Sequence, residues 1–425
     1  MPSTCKFILN KPNAVYYSGE SISGQAIVNI TFVQDVRNVR IFVLGEAKIK
    51  WCEHAGRHTT YYKSHETYID NGTNLRIENV LQPGTYTYTF DIALPPLCPT
   101  SCECKYGYIR YVLSLKLKGP FGLDNFVFKK PLTVLQKVDL NLHRDYKLNI
   151  SVDDSYTPYT SGKIFYNLQI PFSAYAPGQT VKYTFHINNQ SKTDVDGYTL
   201  EFSQKFLCIA KSTDLLLPKK KEFTDENIIL RITFIEPCKR LSSRLWKGQF
   251  IIPSVPPSEV NCNFIRVEYL MKIIAHVSGH KDFPISIPIV IGTIPLQESL
   301  VRQRPATLAQ DRVMALKSNA SSTTDLATAS SPTASTTSTP TGSSDIVKRP
   351  RSPSRTLKPQ SGMTPSPSEL SIASFDSLLE FYDNDQPSFE EGVRSGSPFI
   401  DNDADENHRI DDFRPLYPIY KQTIV

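Results

Sequence analysis

Cys98, Cys102 and Cys104 stand within seven residues of one another, and Cys52, His54, His58 and His65 form a second group upstream. Thiolates and imidazoles so spaced are the raw material of a structural zinc site, which uses C-x2–4-C and H-x3–5-H pairs. Three residues separate Cys98 from Cys102, and three separate His54 from His58, so the numbers permit a site. Neither pair lies on a zinc-type hairpin, however. The cysteines follow a Leu-Pro loop and the histidines sit on a polar hairpin over 52–63. Reduced thiols and surface imidazoles are the simpler reading, and no metal or cofactor is expected.

Catalysis has less to stand on. The chain holds no glycine-rich phosphate loop, no G-x-S-x-G elbow and no His-Glu-x-x-His, each of which places a reacting group by a fixed local geometry. No catalytic residue is assigned. Charge offers more. Lys219, Lys220 and Lys221 fall in one loop, with Lys205, Lys211, Lys239, Arg240, Arg244 and Lys247 not far along the chain. Adjacent strands could gather these into a patch for anionic lipid headgroups, at about 1 kcal/mol per cation; solvated turn lysines are the competing reading. Nucleic acid is not expected, because no RRM, KH or C2H2 pattern accompanies the charge. Thr423 and Val425 fit a carboxyl-terminal ligand for a PDZ domain, which takes such ends by strand addition.

Groups like these need a frame, and the frame is written twice. Phe172-Ser-Ala-Tyr-Ala-Pro-Gly-Gln-Thr-Val181 is echoed by Asn13-Ala-Val-Tyr-Tyr-Ser-Gly-Glu-Ser-Ile22, and Gly178 lies 159 residues after Gly19. Pro95 and Pro253 follow 158 apart, and Ile109-Arg-Tyr and Ile265-Arg-Val 156 apart. Three anchors in one order at nearly one offset indicate a duplicated domain of ordinary size.

Both copies read as strands. In the first, 6–9, 23–32, 36–51, 84–94, 106–118 and 126–135 are rich in β-branched and aromatic residues. In the second, 164–170, 179–188, 198–210, 227–235, 246–252, 264–277 and 285–294 are alike. Apolar and polar residues alternate with period two, as in Tyr86-Thr-Tyr-Thr-Phe90, and Gly/Pro breakers fall between the runs. Short strands so punctuated predict antiparallel sandwiches. The polar stretch 141–162 is expected to connect the two.

The last third differs. Residues 1–300 carry 18 of 21 Tyr, 17 of 22 Phe and both Trp, so 301–425 lack the material for a core and are expected to be disordered. Ser and Thr supply 17 of the 27 residues over 318–344, which is low complexity, and 12 acids stand between Asp376 and Asp412. Lys and Arg outnumber Asp and Glu 34 to 26 before residue 301 and are outnumbered 13 to 16 after it. The positive part suits acidic partners. Ser331, Thr339, Ser352, Thr364, Ser366 and Ser397 each precede proline; phosphates there would make the tail more negative and draw it to the sandwiches. With no signal peptide and no apolar run long enough to span a bilayer, a cytoplasmic protein with reduced cysteines is expected.

Particular words place this architecture. Tyr16-Tyr17-Ser-Gly-Glu20, Gly45-Glu-Ala-Lys-Ile-Lys-Trp51, Pro83-Gly-Thr-Tyr-Thr-Tyr-Thr-Phe90 with Leu94-Pro95, and Gly107-Tyr-Ile-Arg-Tyr111 come from the first copy. Tyr175-Ala-Pro-Gly-Gln179 and Ile252-Pro-Ser-Val-Pro-Pro-Ser258 come from the second. Together they resemble the alpha-arrestins, or arrestin domain-containing proteins, over about residues 5–296. The fold implied is all-β: two tandem immunoglobulin-like β-sandwiches, an arrestin-like N-domain over 5–140 and a C-domain over 163–297, joined by 141–162. A disordered tail over 298–425 follows.

The resemblance also implies a role. Alpha-arrestins dock membrane-protein cargo through the sandwiches and recruit HECT-type ubiquitin ligases, whose WW domains grip Pro-Pro-x-Tyr in the tail. This chain departs from that pattern, for no Pro-Pro-x-Tyr occurs. Its nearest words overlap: Arg414-Pro415-Leu-Tyr417 and Tyr417-Pro418-Ile-Tyr420. The expected function is therefore a trafficking adaptor, not an enzyme, peripheral at the plasma membrane and endosomes. It would link cargo to ubiquitin ligases for endocytosis and endosomal sorting, with Pro415, Tyr417, Pro418 and Tyr420 as the WW-binding set. A ligase-independent, retromer-type sorting scaffold stays open as the alternative.

Overall fold

The computed structural model describes residues 3–75, 80–120, 124–159, 162–213, 218–296, 387–394, 399 and 413–420. Alternating sequence becomes alternating burial: in Ile265–Val277 every second side chain is buried, and Thr180–Asn189 repeats the pattern. One face of each strand therefore meets a core and the other meets water.

The first sandwich is built from β1 (Thr4–Leu9), β2 (Val15–Tyr17), β3 (Ser21–Ile30), β4 (Gln34–Asp35), β5 (Asn38–Ala55) and β6 (His58–Leu75), followed by β7 (Val80–Leu81), β8 (Gly84–Ala93), β9 (Cys102–Cys104), β10 (Gly107–Lys118) and β11 (Asp124–Leu135). The second uses β12 (Ile150–Tyr156), β13 (Ile164–Ile170), β14 (Ala174–Tyr175), β15 (Thr180–Asn189), β16 (Val195–Ser212), β17 (Lys220–Phe234), β18 (Ser242–Ile251), β19 (Ile265–Val277) and β20 (Phe283–Ile291). The sheet β1-β3-β8 covers the first core and β12-β13-β15-β18 covers the second. A single larger sheet runs through both halves, joined where β6 meets β16: Lys211 faces Lys63 and Ser212 faces Tyr62. Buried side chains of both halves form one contiguous cluster.

The duplication extends to single hydrogen bonds. The amide of Leu94 donates to Glu20 O at 2.9 Å, and that of Ile252 donates to Gln179 O at 2.9 Å. β2 runs parallel to β11 as β14 runs parallel to β20. The Tyr111 hydroxyl donates to Pro99 O at 2.7 Å and the Tyr269 hydroxyl to Pro256 O at 2.6 Å. These tyrosines are 158 residues apart, so pairing Ile109 with Ile265 slips the true correspondence by two residues, one repeat along the same strand face.

Two departures from expectation concern elements. The region expected as a connection carries two short 3-10 turns, Leu140–Leu142 and Arg144–Lys147, and then β12, which pairs with β13. The tail, expected to have no structure, supplies two strands: β21 (Ser388–Glu391) and β22 (Leu416–Ile419), paired antiparallel with Phe389 opposite Pro418. Averaging composition over more than a hundred residues concealed a short run, 413–420, that is mostly apolar and aromatic.

Candidate functional site

The β21–β22 hairpin sits on the seam between the sandwiches, and β22 carries Tyr417 and Pro418 of the residues singled out as a WW ligand, with Pro415 and Tyr420 flanking it. Pro415, Tyr417 and Pro418 are buried and Tyr420 is half-buried. Tyr417, 2% exposed, lies between Val15 on β2 and Leu135 on β11, with Tyr17, Phe389 and Leu416 around it. A buried phenol needs a partner for its hydroxyl; this one donates to Ser101 O at 3.0 Å. The Leu416 amide donates to Thr133 Oγ1 at 3.1 Å. Those contacts belong to the first sandwich.

The second sandwich holds the other end. The Tyr420 amide donates to Pro177 O at 3.0 Å and its hydroxyl to Thr293 O at 2.7 Å. Val393, just past β21, donates its amide to Ser254 O at 2.8 Å, while Ser254 Oγ donates to Glu390 O at 2.8 Å. Arg414 and Glu391 form an ion pair of 3.1 Å across the hairpin. Pro177 and Gly178 belong to the duplicated turn. Gly178 has φ +89°, and a Cβ there would stand 2.5 Å from Tyr420 O and 2.8 Å from Tyr420 N. Glycine thus serves twice, for a left-handed backbone and for the close approach of the tail.

Electrostatics keep the seam's phenols neutral. Burial holds the Tyr417 phenol well above its ordinary range, and Cys102, Tyr269 and Glu103 push the same way. Burial likewise raises Tyr420, helped by Tyr17 and Asp139, and pushes Tyr17 up to about 12, with Glu20 assisting. Close to Tyr417 lies an ion pair of buried Arg110 and partly buried Glu103, Arg110 donating to both carboxylate oxygens at 2.6 and 2.7 Å. Burial raises the Glu103 carboxyl despite that guanidinium.

The lysine trio divides. Lys219 and Lys220 are exposed, but Lys221 reaches Glu53 of the first sandwich at 2.6 Å. Lys220 faces Lys211, Lys211 faces Lys63 and Lys63 faces Lys50, so four lysines stand in one row across β17, β16, β6 and β5. Facing side chains on neighbouring strands lie about 5 Å apart. The row crosses from one sandwich to the other. Lys239 pairs with Asp194 and Arg244 with Glu236. They lie near the far end of β16, roughly 55 Å away at 3.3 Å per residue, so they do not join this patch. Sequence proximity missed Lys50 and Lys63, which only strand register supplies.

The metal-type residues do not converge. Among the described residues no three His, Cys, Asp or Glu side chains are placed to hold one ion. Cys98, Cys102 and Cys104 are buried, whereas Cys52 is exposed and His54 bonds Thr59 Oγ1 at 2.9 Å. His65 meets Glu46 at 3.1 Å. All eight cysteines are unpaired thiols. Cys104 Sγ comes to 3.9 Å from Cys208 Sγ across the seam. Both Thr423 and Val425 lie outside the described residues. No helix among the described residues is long and apolar enough to cross a membrane.

Twin sandwiches fused through one sheet, with a peptide strand seated where they meet, define a two-domain β-scaffold of the kind used to bring proteins together. Comparison with known proteins gives this class its family. Residues 5–141 match the family model described as "Arrestin (or S-antigen), N-terminal domain" and residues 160–296 match its C-terminal counterpart. Arrestin domain-containing protein 17 of Caenorhabditis elegans is 25% identical over 324 residues, 70% of this chain and 72% of its own length. Human arrestin domain-containing protein 4 is 27% identical over 299 residues, 66% and 68% of the two chains. Human thioredoxin-interacting protein is 27% identical over 300 residues, 67% and 73%. The chain belongs to the arrestin family, on its alpha-arrestin side, and its architecture is that of an arrestin-type adaptor.

Proposed function

We propose that this protein is a non-enzymatic trafficking adaptor that binds the cytosolic segments of membrane-protein cargo through its sandwiches. Through its tail it links that cargo to HECT-type ubiquitin ligases for endocytosis and endosomal sorting. The observation that carries the reading is the overlapping Pro-x-Tyr pair, Pro415/Tyr417 and Pro418/Tyr420, tethered to an arrestin scaffold. WW domains take extended proline segments because little conformational entropy is lost on binding. The test is a titration of WW domains with the 411–425 peptide. Wild type is compared with Tyr417→Ala, Tyr420→Ala and the restored motif Arg414→Pro. Micromolar binding that either tyrosine substitution abolishes supports ligase recruitment.

Burial of Tyr417 favours a second reading, the ligase-independent sorting scaffold. Binding that appears only with Arg414→Pro would select it. In either case the lysine row Lys50, Lys63, Lys211 and Lys220, flanked by Lys219, is proposed to face anionic lipid headgroups, since like charges set opposite one another gain from a bound anion. Co-sedimentation with phosphatidylserine vesicles should fall several-fold on Lys211→Glu/Lys220→Glu. Unchanged sedimentation removes the lipid assignment.

A further inference from the structure

We propose that the seam between the sandwiches is a peptide-binding site in its own right, specific for an extended Leu-Tyr-Pro-Ile-Tyr segment and filled in cis by the chain's own 416–420. The second half of the idea rests on the reading above: the site withholds from WW domains the tyrosines they would grip.

The hydrogen bonds define the ligand chemistry. Ser101 O, Thr133 Oγ1, Pro177 O and Thr293 O all accept, and each receives one donor from the Leu416–Tyr420 stretch: two amides and two phenol hydroxyls. A wall of acceptors selects for donors and against anions. A phosphotyrosine at 417 would offer no hydroxyl to Ser101 O and would bring about −1.5 to −2 charges into an enclosed, apolar-floored pocket whose polar groups accept. The apolar floor of Val15 and Leu135 takes the Tyr417 ring, and proline at 418 suits a strand that has little freedom to lose. Gly178 completes the fit, since any side chain there would meet the Tyr420 backbone. Both sandwiches contribute, so the site exists only where they meet.

The occupant is separable from its site. About a hundred residues lie between β20, ending at Ile291, and β21, beginning at Ser388. A tether of that length gives an effective concentration in the millimolar range or below. The same sequence supplied in trans, or a WW domain drawing β22 away, therefore competes on workable terms. A WW groove needs the tyrosine face that the seam buries, so one segment cannot serve both.

The test uses the full chain carrying Tyr417→Ala and Tyr420→Ala, which vacates the seam, titrated with a fluorescent 411–425 peptide. The expected result is saturable one-to-one binding in the micromolar range by the double variant. Wild type should bind at least tenfold more weakly, because its site is already filled, and phosphotyrosine at 417 of the peptide should abolish binding. Hydrogen exchange on the wild-type chain gives an independent readout: the amides of Leu416 and Tyr420 should be protected relative to the free peptide. Exchange at the free-peptide rate overturns the proposal. So does protection in wild type without binding of the peptide to the vacated seam, which would leave only a folded hairpin. If the free peptide binds no WW domain, ligase recruitment fails while both of these readouts keep their meaning.

Discussion

At the scale of the residue, Tyr417 decides most. Its ring is enclosed by apolar side chains and its hydroxyl meets one backbone carbonyl. Removing that hydroxyl while keeping the ring leaves Ser101 O buried and unpaired, at a cost of about 1–2 kcal/mol. Tyr417→Phe should therefore raise opening of the hairpin by roughly 5- to 30-fold, read as faster exchange at Leu416 and Tyr420, with the sandwiches' own protection unchanged. An unchanged rate would mean that the hydroxyl contributes nothing to seating. The sequence marked Tyr417 and Tyr420 by their spacing to proline, but not their burial. A Pro-x-Tyr word looks the same whether a partner or the chain itself reads it. Lys221 teaches the same lesson: it was legible as one of three loop lysines, while its ion pair with Glu53 joins residues 168 positions apart.

At the scale of the element, the duplicated turn is the clearest case of what sequence can show. Gly19 and Gly178 were aligned from the residues alone, and their φ values are +85° and +89°. The surroundings differ. A Cβ on Gly19 would find nothing closer than Pro96 Cα at 3.6 Å, whereas one on Gly178 would strike the tail. Alanine at either position pays the left-handed penalty, about 1 kcal/mol or a little more. Gly19→Ala should lower thermal stability and leave β22 seated. Gly178→Ala should lower it similarly and also expose Tyr417 and Tyr420 to chymotrypsin. Equal cleavage in the two variants would refute this account. Other elements were harder to see. β6, 18 residues long, shows in the sequence only as part of a polar hairpin, because its outward face is Thr, His, Glu and Lys and few of its side chains are buried. β12 was hidden likewise by Ser and Asp. Exposed strands keep the period but lose the hydrophobic contrast that reveals it.

At the scale of the whole molecule, the two domains foretold by the repeat share a sheet and a core. The joining ladder consists of two residue pairs between β6 and β16, too short to leave a trace in the sequence. Side chains close the rest: Phe223 of β17 packs edge-on against Tyr106 at 4.4 Å and near Trp51 at 6.0 Å, both from the first sandwich. Ser64 Oγ donates to Ile209 O, and the Thr100 amide to Val260 O. Coupling this extensive predicts one calorimetric transition for both sandwiches, not two. Phe223→Ala, truncating a half-buried ring, should lower that single transition by an amount worth about 2 kcal/mol. Two resolved transitions in the wild type would show the halves to be independent.

The hairpin's anchorage also changes the connectivity of the molecule. With β22 seated between β2, β11 and the Pro177 turn, the covalent segment from 297 to 386 is one of two paths between tail and body; the other is the seam itself. The backbone is in effect a closed ring. A single protease cut anywhere in that segment should leave two fragments that still migrate together under native conditions and separate only when the seam lets go. Proteolysis would then act as a delayed release, its outcome set by the lifetime of β22 on the seam and not by the moment of cleavage.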